Sequence, residues 1–111
     1  MEPRHLPIAP LLLAMALLCA AMSACGPEIG DDCESSYDCA SSSMICDTAA
    51  PDGYCLIEGC WDDKDCPEYG VCIAFANDER FCMRGCEDGN DCRDGYRCVH
   101  LQGQPRFCYV R

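Results

Sequence analysis

One spacing of four cysteines occurs three times in succession between Cys33 and Cys108. Repeats two and three have gaps of five, five and nine residues between successive cysteines, and repeat one has gaps of five, six and eight. In each repeat an Asp precedes the second cysteine and an aromatic residue precedes the fourth. These matched positions are Asp38, Asp65 and Asp91, then Tyr54, Phe81 and Phe107. The repetition predicts three copies of one small module, at residues 33–59, 60–85 and 86–111.

Fourteen cysteines in 111 residues predict a disulfide-stabilised protein outside the cytoplasm. A module of about 26 residues buries too little apolar surface to offset the entropy of ordering its chain. Two disulfides per repeat, each worth roughly 3 kcal/mol, supply the difference. Three pairings are open in each repeat, and we favour first to third with second to fourth, because the two loops then overlap. The predicted disulfide cysteines are Cys33, Cys39, Cys46, Cys55, Cys60, Cys66, Cys72, Cys82, Cys86, Cys92, Cys98 and Cys108.

Short runs typical of strands follow the third cysteine of repeats two and three, at residues 71–76 and 96–101. An Asn-Asp pair at 77–78 and a Gln-Gly pair at 102–103 follow these runs and are typical of hairpin turns. The predicted fold class is therefore small and disulfide-rich. We expect one short β-hairpin per repeat and almost no helix.

Two further sets of repeated residues are given structural roles. The aromatic residue before each fourth cysteine is expected on the second strand of its hairpin, packed over the disulfides. Gly70 and Gly95 precede the third cysteine by two or three positions. We expect turns there that need a positive φ, which glycine adopts without steric cost.

The N-terminus has the organisation of an export signal. Arg4 and the α-amine precede an apolar run at residues 11–21, which is shorter than the roughly 20 residues needed to span a bilayer. Residues 1–24 are therefore predicted to be a signal peptide. No later stretch is apolar enough to predict a transmembrane span.

The cleavage site decides whether the protein is anchored. The segment Met-Ser-Ala-Cys-Gly at 22–26 resembles the lipobox of bacterial lipoproteins, although Met22 stands where that family usually has Leu. Lipidation of Cys25 leaves twelve cysteines, whereas an ordinary cut after Ser23 leaves thirteen and one unpaired thiol. In this resemblance Gly26 implies sorting to the outer membrane. We expect an outer-membrane lipoprotein of the bacterial cell envelope, with a secreted protein as the alternative.

The chain has 19 acidic and 8 basic residues, and the acidic excess is concentrated toward the N-terminus. Residues 25–32 form a short acidic tether in this interpretation. The negative net charge then becomes smaller along the chain, from −5 in repeat one to −3 in repeat two and zero in repeat three. Phosphate binding needs clustered Lys and Arg, so a nucleic-acid partner is disfavoured. Solubilising charge explains the acids, and a cation-binding or basic-partner face is the alternative.

No catalytic residue, metal site or cofactor is predicted. The sequence lacks the C-x-x-C knuckle of zinc sites and thiol redox sites. After the predicted signal peptide His100 is the one histidine, and no serine has an identifiable base. Two loops are rich in oxygen ligands, which calcium prefers, but neither has the spacing of a known calcium loop. Their residues are Asp62, Asp63 and Asp65, then Asp88, Asn90 and Asp91. An Asp before the second cysteine equally suits an Asx-turn.

Trp61 follows the first cysteine of repeat two, where the other repeats have Glu34 and Glu87. An exposed Trp on a small scaffold is a candidate interface anchor. Packing against a neighbouring repeat is the alternative.

The pattern C-x-x-x-x-D-C-x-x-G-x-x-C, followed by an aromatic-Cys pair, resembles the Dickkopf N-terminal cysteine-rich and EB-type modules. It also resembles cysteine-rich bacterial lipoproteins that carry such modules in tandem. The resemblance covers residues 33–108 and implies a scaffold that binds through variable loops. The predicted function is a non-enzymatic, lipid-anchored module that binds an unidentified protein or surface ligand or has a structural role. The alternative is a secreted effector such as a protease inhibitor, which would insert residues 47–54 or 74–81.

Overall fold

A computed structural model describes residues 27–110, so the predicted signal peptide and the lipidation at Cys25 lie outside the described residues. All strands in this part pair antiparallel, and its helical segments are single 3-10 turns. The predicted small disulfide-rich fold with almost no helix is confirmed. None of these helical segments could cross a bilayer. The strands are β1 (Ile45–Cys46), β2 (Cys55–Glu58), β3 (Gly70–Ala74), β4 (Arg80–Arg84), β5 (Arg97–Val99) and β6 (Phe107–Tyr109).

Each repeat contains one hairpin, as predicted. Strand β1 pairs with β2, β3 with β4, and β5 with β6. The predicted turns are also present. The Asp78 amide donates to the Phe75 carbonyl at 3.1 Å, and the Gln104 amide donates to the Leu101 carbonyl at 3.1 Å. The hairpin positions of repeats two and three were therefore predictable from strand runs and turn residues, whereas no such signal located β1 and β2 of repeat one.

Main-chain pairing also joins the three hairpins to each other. Strand β2 of repeat one pairs with β4 of repeat two, which gives a four-stranded sheet in the order β1-β2-β4-β3. Repeat three is a separate two-stranded sheet, and a single bridge between Gly85 and Phe107 connects it to repeat two. The repeats therefore pack together and are not independent beads.

The strands separate two buried clusters, because successive side chains along a strand point to opposite faces. One, the sulfur cluster, holds most of the cysteines of repeats one and two. Its buried members are Ile29, Cys33, Cys39, Met44, Cys55, Cys60, Cys72 and Cys82. The other, the aromatic cluster, is formed by Ala50, Tyr54, Leu56, Ile73, Met83, Tyr96 and Phe107, with Phe81 packed at its edge.

The expectation that the aromatic residues before the fourth cysteines cover the disulfides is wrong for repeats one and two. Phe81 directly precedes Cys82 on β4, so its side chain must point to the opposite face of the strand. Tyr54 lies directly before β2, which begins at Cys55, and not on the strand as expected. Both rings belong to the aromatic cluster, while the neighbouring cysteines belong to the sulfur cluster.

The segment expected to be a tether belongs to the fold from residue 27 onward. Ile29 has no exposed surface and packs in the sulfur cluster. The Gly30 amide donates to the Cys55 carbonyl at 2.7 Å, and the Cys55 amide donates to the Asp31 carbonyl at 3.0 Å. The segment at residues 27–31 is thus bonded through its main chain to Cys55, the first residue of β2. Acidic composition suggested a solvated linker, but the buried side chain of Ile29 and these main-chain bonds hold the segment in the fold.

The two glycines before the third cysteines differ in conformation. Gly95 has a φ of +87°, as expected. Gly70 does not have a positive φ, and the residue before it, Tyr69, has a φ of +71°. Counted from the second cysteine, Tyr69 matches Gly95, so both repeats place their left-handed residue at the same position. A Cβ at Gly70 would lie 3.0 Å from the Cβ of Cys66 and from the carbonyl oxygen of Pro67, so a larger residue would be crowded there.

Candidate binding surfaces

All twelve cysteines of the described residues form disulfides, and every repeat pairs its first cysteine with its third and its second with its fourth. This confirms the favoured connectivity. In each repeat the sulfurs of the first, second and fourth cysteines lie within 4.8 Å of one another, so the two bonds are neighbours. Their thiols are consumed by these bonds. The pairs are Cys33–Cys46, Cys39–Cys55, Cys60–Cys72, Cys66–Cys82, Cys86–Cys98 and Cys92–Cys108.

The Asp before each second cysteine caps a 3-10 turn. Oδ2 of Asp65 accepts the amides of Trp61 and Asp62 at 2.7 and 3.1 Å. Asp38 and Asp91 accept the equivalent pairs of amides in repeats one and three. Because these bonds favour the charged carboxylate, the pKa of each of the three Asp side chains is lowered.

The other carboxylates of the two oxygen-rich loops also bond to their own backbone. Oδ1 of Asp62 accepts the Lys64 amide, and Oδ1 of Asp88 accepts the Asn90 amide, both at 2.8 Å. Oδ1 of Asp63 accepts the amide of Cys72 on β3. The carboxylates in these loops therefore stabilise turns and one strand edge, as in the Asx-turn interpretation.

Trp61 is 83% exposed, so the alternative of packing against a neighbouring repeat is wrong. Its backbone is nevertheless fixed on both sides. Its amide donates to Asp65, and the Arg80 guanidinium donates to the carbonyls of Cys60 and Trp61 at 2.9 and 3.0 Å. A solvent-facing indole is thus presented on an ordered loop. We call Trp61 and this loop, residues 60–66, the indole loop.

The hydroxyl of Tyr54 connects all three repeats. It donates to the carbonyl of Cys108 at 2.7 Å and accepts the amide of Arg84 at 2.9 Å. Tyr54 is 1% exposed, and burial raises its pKa well above the usual range of a tyrosine. The matched residues, Phe81 and Phe107, have no hydroxyl.

Arg93 fastens repeat three to the loop at residues 47–54. Its guanidinium donates to the carbonyls of Gly30 and Pro51 at 2.9 Å each, and to the carbonyl of Gly53. It also lies over the ring of Tyr96, 4.2 Å from the centroid. Two carbonyls of this candidate inhibitory loop are therefore already bonded within the molecule.

A groove that we call the three-repeat groove has a volume of about 570 Å³ and is lined from all three repeats. Asp47 and Glu79 lie at this groove, which no Lys or Arg of the described residues lines. The ring of Phe75 contacts those of Phe81 and Tyr109, with centroids 5.8 and 6.2 Å apart, so three aromatic residues of the lining lie together. The large apolar side chains of the lining are Ile45, Leu56, Phe75, Phe81, Met83 and Tyr109.

The histidine and the serines considered as catalytic residues lie in exposed loops. His100 is exposed on the segment after β5. The Ser36 hydroxyl accepts the amide of Cys46 at 3.0 Å, and Ser41 and Ser43 bond to each other at 2.8 Å. These contacts are those of loop residues, as expected.

Sequence reasoning missed Ile29, Arg93, Tyr96 and Gln104 as residues that hold the repeats together. A usable signal was present for Arg93. The position after the second cysteine holds Ala40 in repeat one and a proline in repeat two, so Arg93 is a departure from the pattern.

Comparison with known proteins found no matching family model, no similar curated protein and no similar solved structure.

Proposed function

We propose that this protein is a non-enzymatic, lipid-anchored binding module of the bacterial cell envelope, related to the Dickkopf N-terminal and EB-type modules that its cysteine pattern resembles. The observation that carries the proposal is the indole loop. An exposed Trp costs little entropy to immobilise when its backbone is already held, and such residues dominate binding energy at interfaces. The Trp61 backbone is held by Asp65 and Arg80.

The proposed anchor lies next to the folded part of the chain. The carbonyl of Pro27 accepts the Ala40 amide at 2.8 Å, so residue 27, two positions after Cys25, is bonded to repeat one. Two residues reach about 7 Å at most. A lipid on Cys25 would therefore hold the module at the bilayer surface and not on a stalk.

The anchor is tested by the intact mass of the protein from its native host, before and after reduction and alkylation. The expected result is a diacylglyceryl increment on Cys25, with twelve thiols that become alkylatable only after reduction. An unlipidated chain with a thirteenth cysteine would overturn the anchor and favour a secreted protein.

Binding through the indole loop is tested with a photo-crosslinking amino acid at position 61 on intact host cells. Position 37 is the matched control, because Tyr37 is also an exposed aromatic residue, 98% exposed, and lies in the equivalent loop of repeat one. We expect a discrete crosslinked species from position 61 that position 37 does not give. Equal crosslinking from both positions would contradict a role for Trp61.

A secreted protease inhibitor is the second proposal. Its inserted segment would be residues 74–81, because Ala76, Asn77, Asp78 and Glu79 of this hairpin turn are exposed. The loop at 47–54 is less suited, since Pro51 and Gly53 are bonded to Arg93. Inhibition of a protease in a broad panel, abolished by cleavage within 74–81, would support this function. Lack of inhibition across the panel would argue against it.

A further inference from the structure

The three-repeat groove has the size and composition of a ligand site. Its volume of about 570 Å³ lies within the range of known binding pockets, which are mostly apolar with a few polar groups. Ile45 at its edge is 42% exposed, and Phe75 and Phe81 are partly exposed. Leu56 and Met83 beneath them are buried. Large apolar side chains thus face solvent in one concave patch.

The charge of this groove is of one sign. Asp47 is held by the Ala49 amide at 3.1 Å, and Glu79 by the side-chain amide of Asn77 at 2.6 Å. Each of these bonds uses one carboxylate oxygen. Within residues 27–110 neither side chain forms an ion pair, and neither second oxygen has a hydrogen-bond partner. Two carboxylates therefore border an apolar groove that no Lys or Arg within residues 27–110 lines.

We propose that the three-repeat groove binds a peptide segment in which large apolar side chains lie next to Lys or Arg. Leu or Phe side chains fill the space over Leu56 and Met83, and the flanking cations pair with Asp47 and Glu79. Complementary charge of this kind selects partners and speeds their encounter. The site is separate from the indole loop, so its failure would leave the proposal for Trp61 standing.

The test uses three synthetic peptides and isothermal titration with the oxidised protein. The probe is Lys-Leu-Phe-Leu-Lys with blocked ends, and the comparison peptides are Glu-Leu-Phe-Leu-Glu and Lys-Ser-Gly-Ser-Lys. We expect binding of the first peptide, and affinity at least about tenfold weaker for each comparison peptide. Equal binding of the acidic peptide would show an apolar site without charge selection and would overturn the proposal, as would no binding of the first peptide.

Variants locate the site. Asp47→Asn with Glu79→Gln removes both groove charges, and we expect a loss of affinity of about tenfold. Glu68→Gln with Asp94→Asn is the matched control, because it removes two exposed charges outside the groove. This control should change affinity by less than about twofold. Equal losses in the two double variants would indicate attraction by net charge alone and contradict the proposal.

Ala49→Trp fills the groove from an exposed position, and we expect it to abolish binding. Its disulfides are checked by mass spectrometry, and the charge variants decide the matter if it does not fold. Sedimentation of the protein alone is expected to show a monomer. A dimer that Ala49→Trp dissociates would show that a second copy occupies the groove and would overturn the proposal.

Discussion

At the scale of single residues, the buried hydroxyl of Tyr54 joins repeat one to repeats two and three by two hydrogen bonds. Tyr54→Phe keeps the ring but leaves the amide of Arg84 and the carbonyl of Cys108 without this partner. Loss of one partner of a buried hydrogen bond costs about 1–3 kcal/mol, so we expect a loss of stability in that range. Urea unfolding with intact disulfides measures it.

Tyr37→Phe is the control for this substitution, because Tyr37 is 98% exposed. Exposed substitutions away from such contacts change stability by less than about 0.5 kcal/mol. If both variants unfold at the same urea concentration, the Tyr54 hydroxyl does not link the repeats in the way described.

The capping carboxylates predict a dependence of stability on acid pH. A carboxyl whose pKa is lowered by folding stabilises the protein above its unfolded pKa of about 3.9, and this contribution is lost as the pH falls through the folded pKa. Asp38, Asp65 and Asp91 all have lowered pKa values. We therefore expect the urea midpoint of the oxidised protein to fall below about pH 4.

Asp91→Asn should weaken the hydrogen bonds to the Glu87 and Asp88 amides at neutral pH. It should also reduce the acid dependence of stability, because the Asn side chain has no charge to lose when the pH falls. Asp94→Asn is the matched change in the same repeat, at an exposed carboxylate for which the described residues provide no hydrogen bond. An unchanged acid dependence in Asp91→Asn would mean that other groups cause it.

At the scale of elements, the free edge of β3 is closed by side chains. The Gln104 amide group accepts the Ala74 amide and donates to the Ala74 carbonyl, at 2.7 Å each. Asp63 accepts the Cys72 amide two residues earlier on the same edge. Unpaired strand edges are templates for aggregation, and polar cover of this kind blocks them.

Hydrogen–deuterium exchange tests this edge directly. In Gln104→Ala we expect faster exchange of the Ala74 amide, while the Cys72 amide, still bonded to Asp63, is the internal control. Asp63→Ala should give the reverse pattern. Exchange at Ala74 that does not respond to Gln104→Ala would show that the side chain does not cover this edge in solution.

Sequence reasoning succeeded within the repeats because the information there is local. Cysteine spacing and turn residues led to the hairpins and the disulfide pairing. Pairing between β2 and β4 involves only two residue pairs, Ile57 with Cys82 and Glu58 with Phe81. Contacts so short leave no periodic pattern in the sequence, and their partners are distant along the chain.

At the scale of the whole molecule, repeat three depends on Arg93 for its position against repeat one. Arg93→Lys keeps the charge but loses the planar set of donors that reaches Gly30, Pro51 and Gly53. Hydrogen bonds to charged groups contribute about 1.5–3 kcal/mol, so we expect destabilisation of that order. Urea unfolding measures it, with the exposed Arg106→Lys as control. Equal midpoints for the two variants would contradict this role.

Two of the residues that hold the repeats together depart from the repeated pattern. Tyr54 stands where repeats two and three have Phe. Arg93 stands where repeat one has Ala and repeat two has Pro. The repeated spacing indicates the structure of one module, and it does not indicate contacts made by residues that differ from copy to copy. The three-repeat groove was not predictable for the same reason, because its lining comes from all three repeats.

The bonds between second and fourth cysteines also limit the length to which the oxidised chain can be extended. The shortest covalent route from Cys33 to Cys108 passes through Cys39–Cys55, Cys66–Cys82 and Cys92–Cys108. It contains about 27 backbone steps, so the unfolded but oxidised chain extends to about 110 Å, against about 260 Å once reduced. A force applied between Cys33 and Cys108 therefore meets covalent resistance after a short extension, and reduction of the disulfides lengthens this route more than twofold.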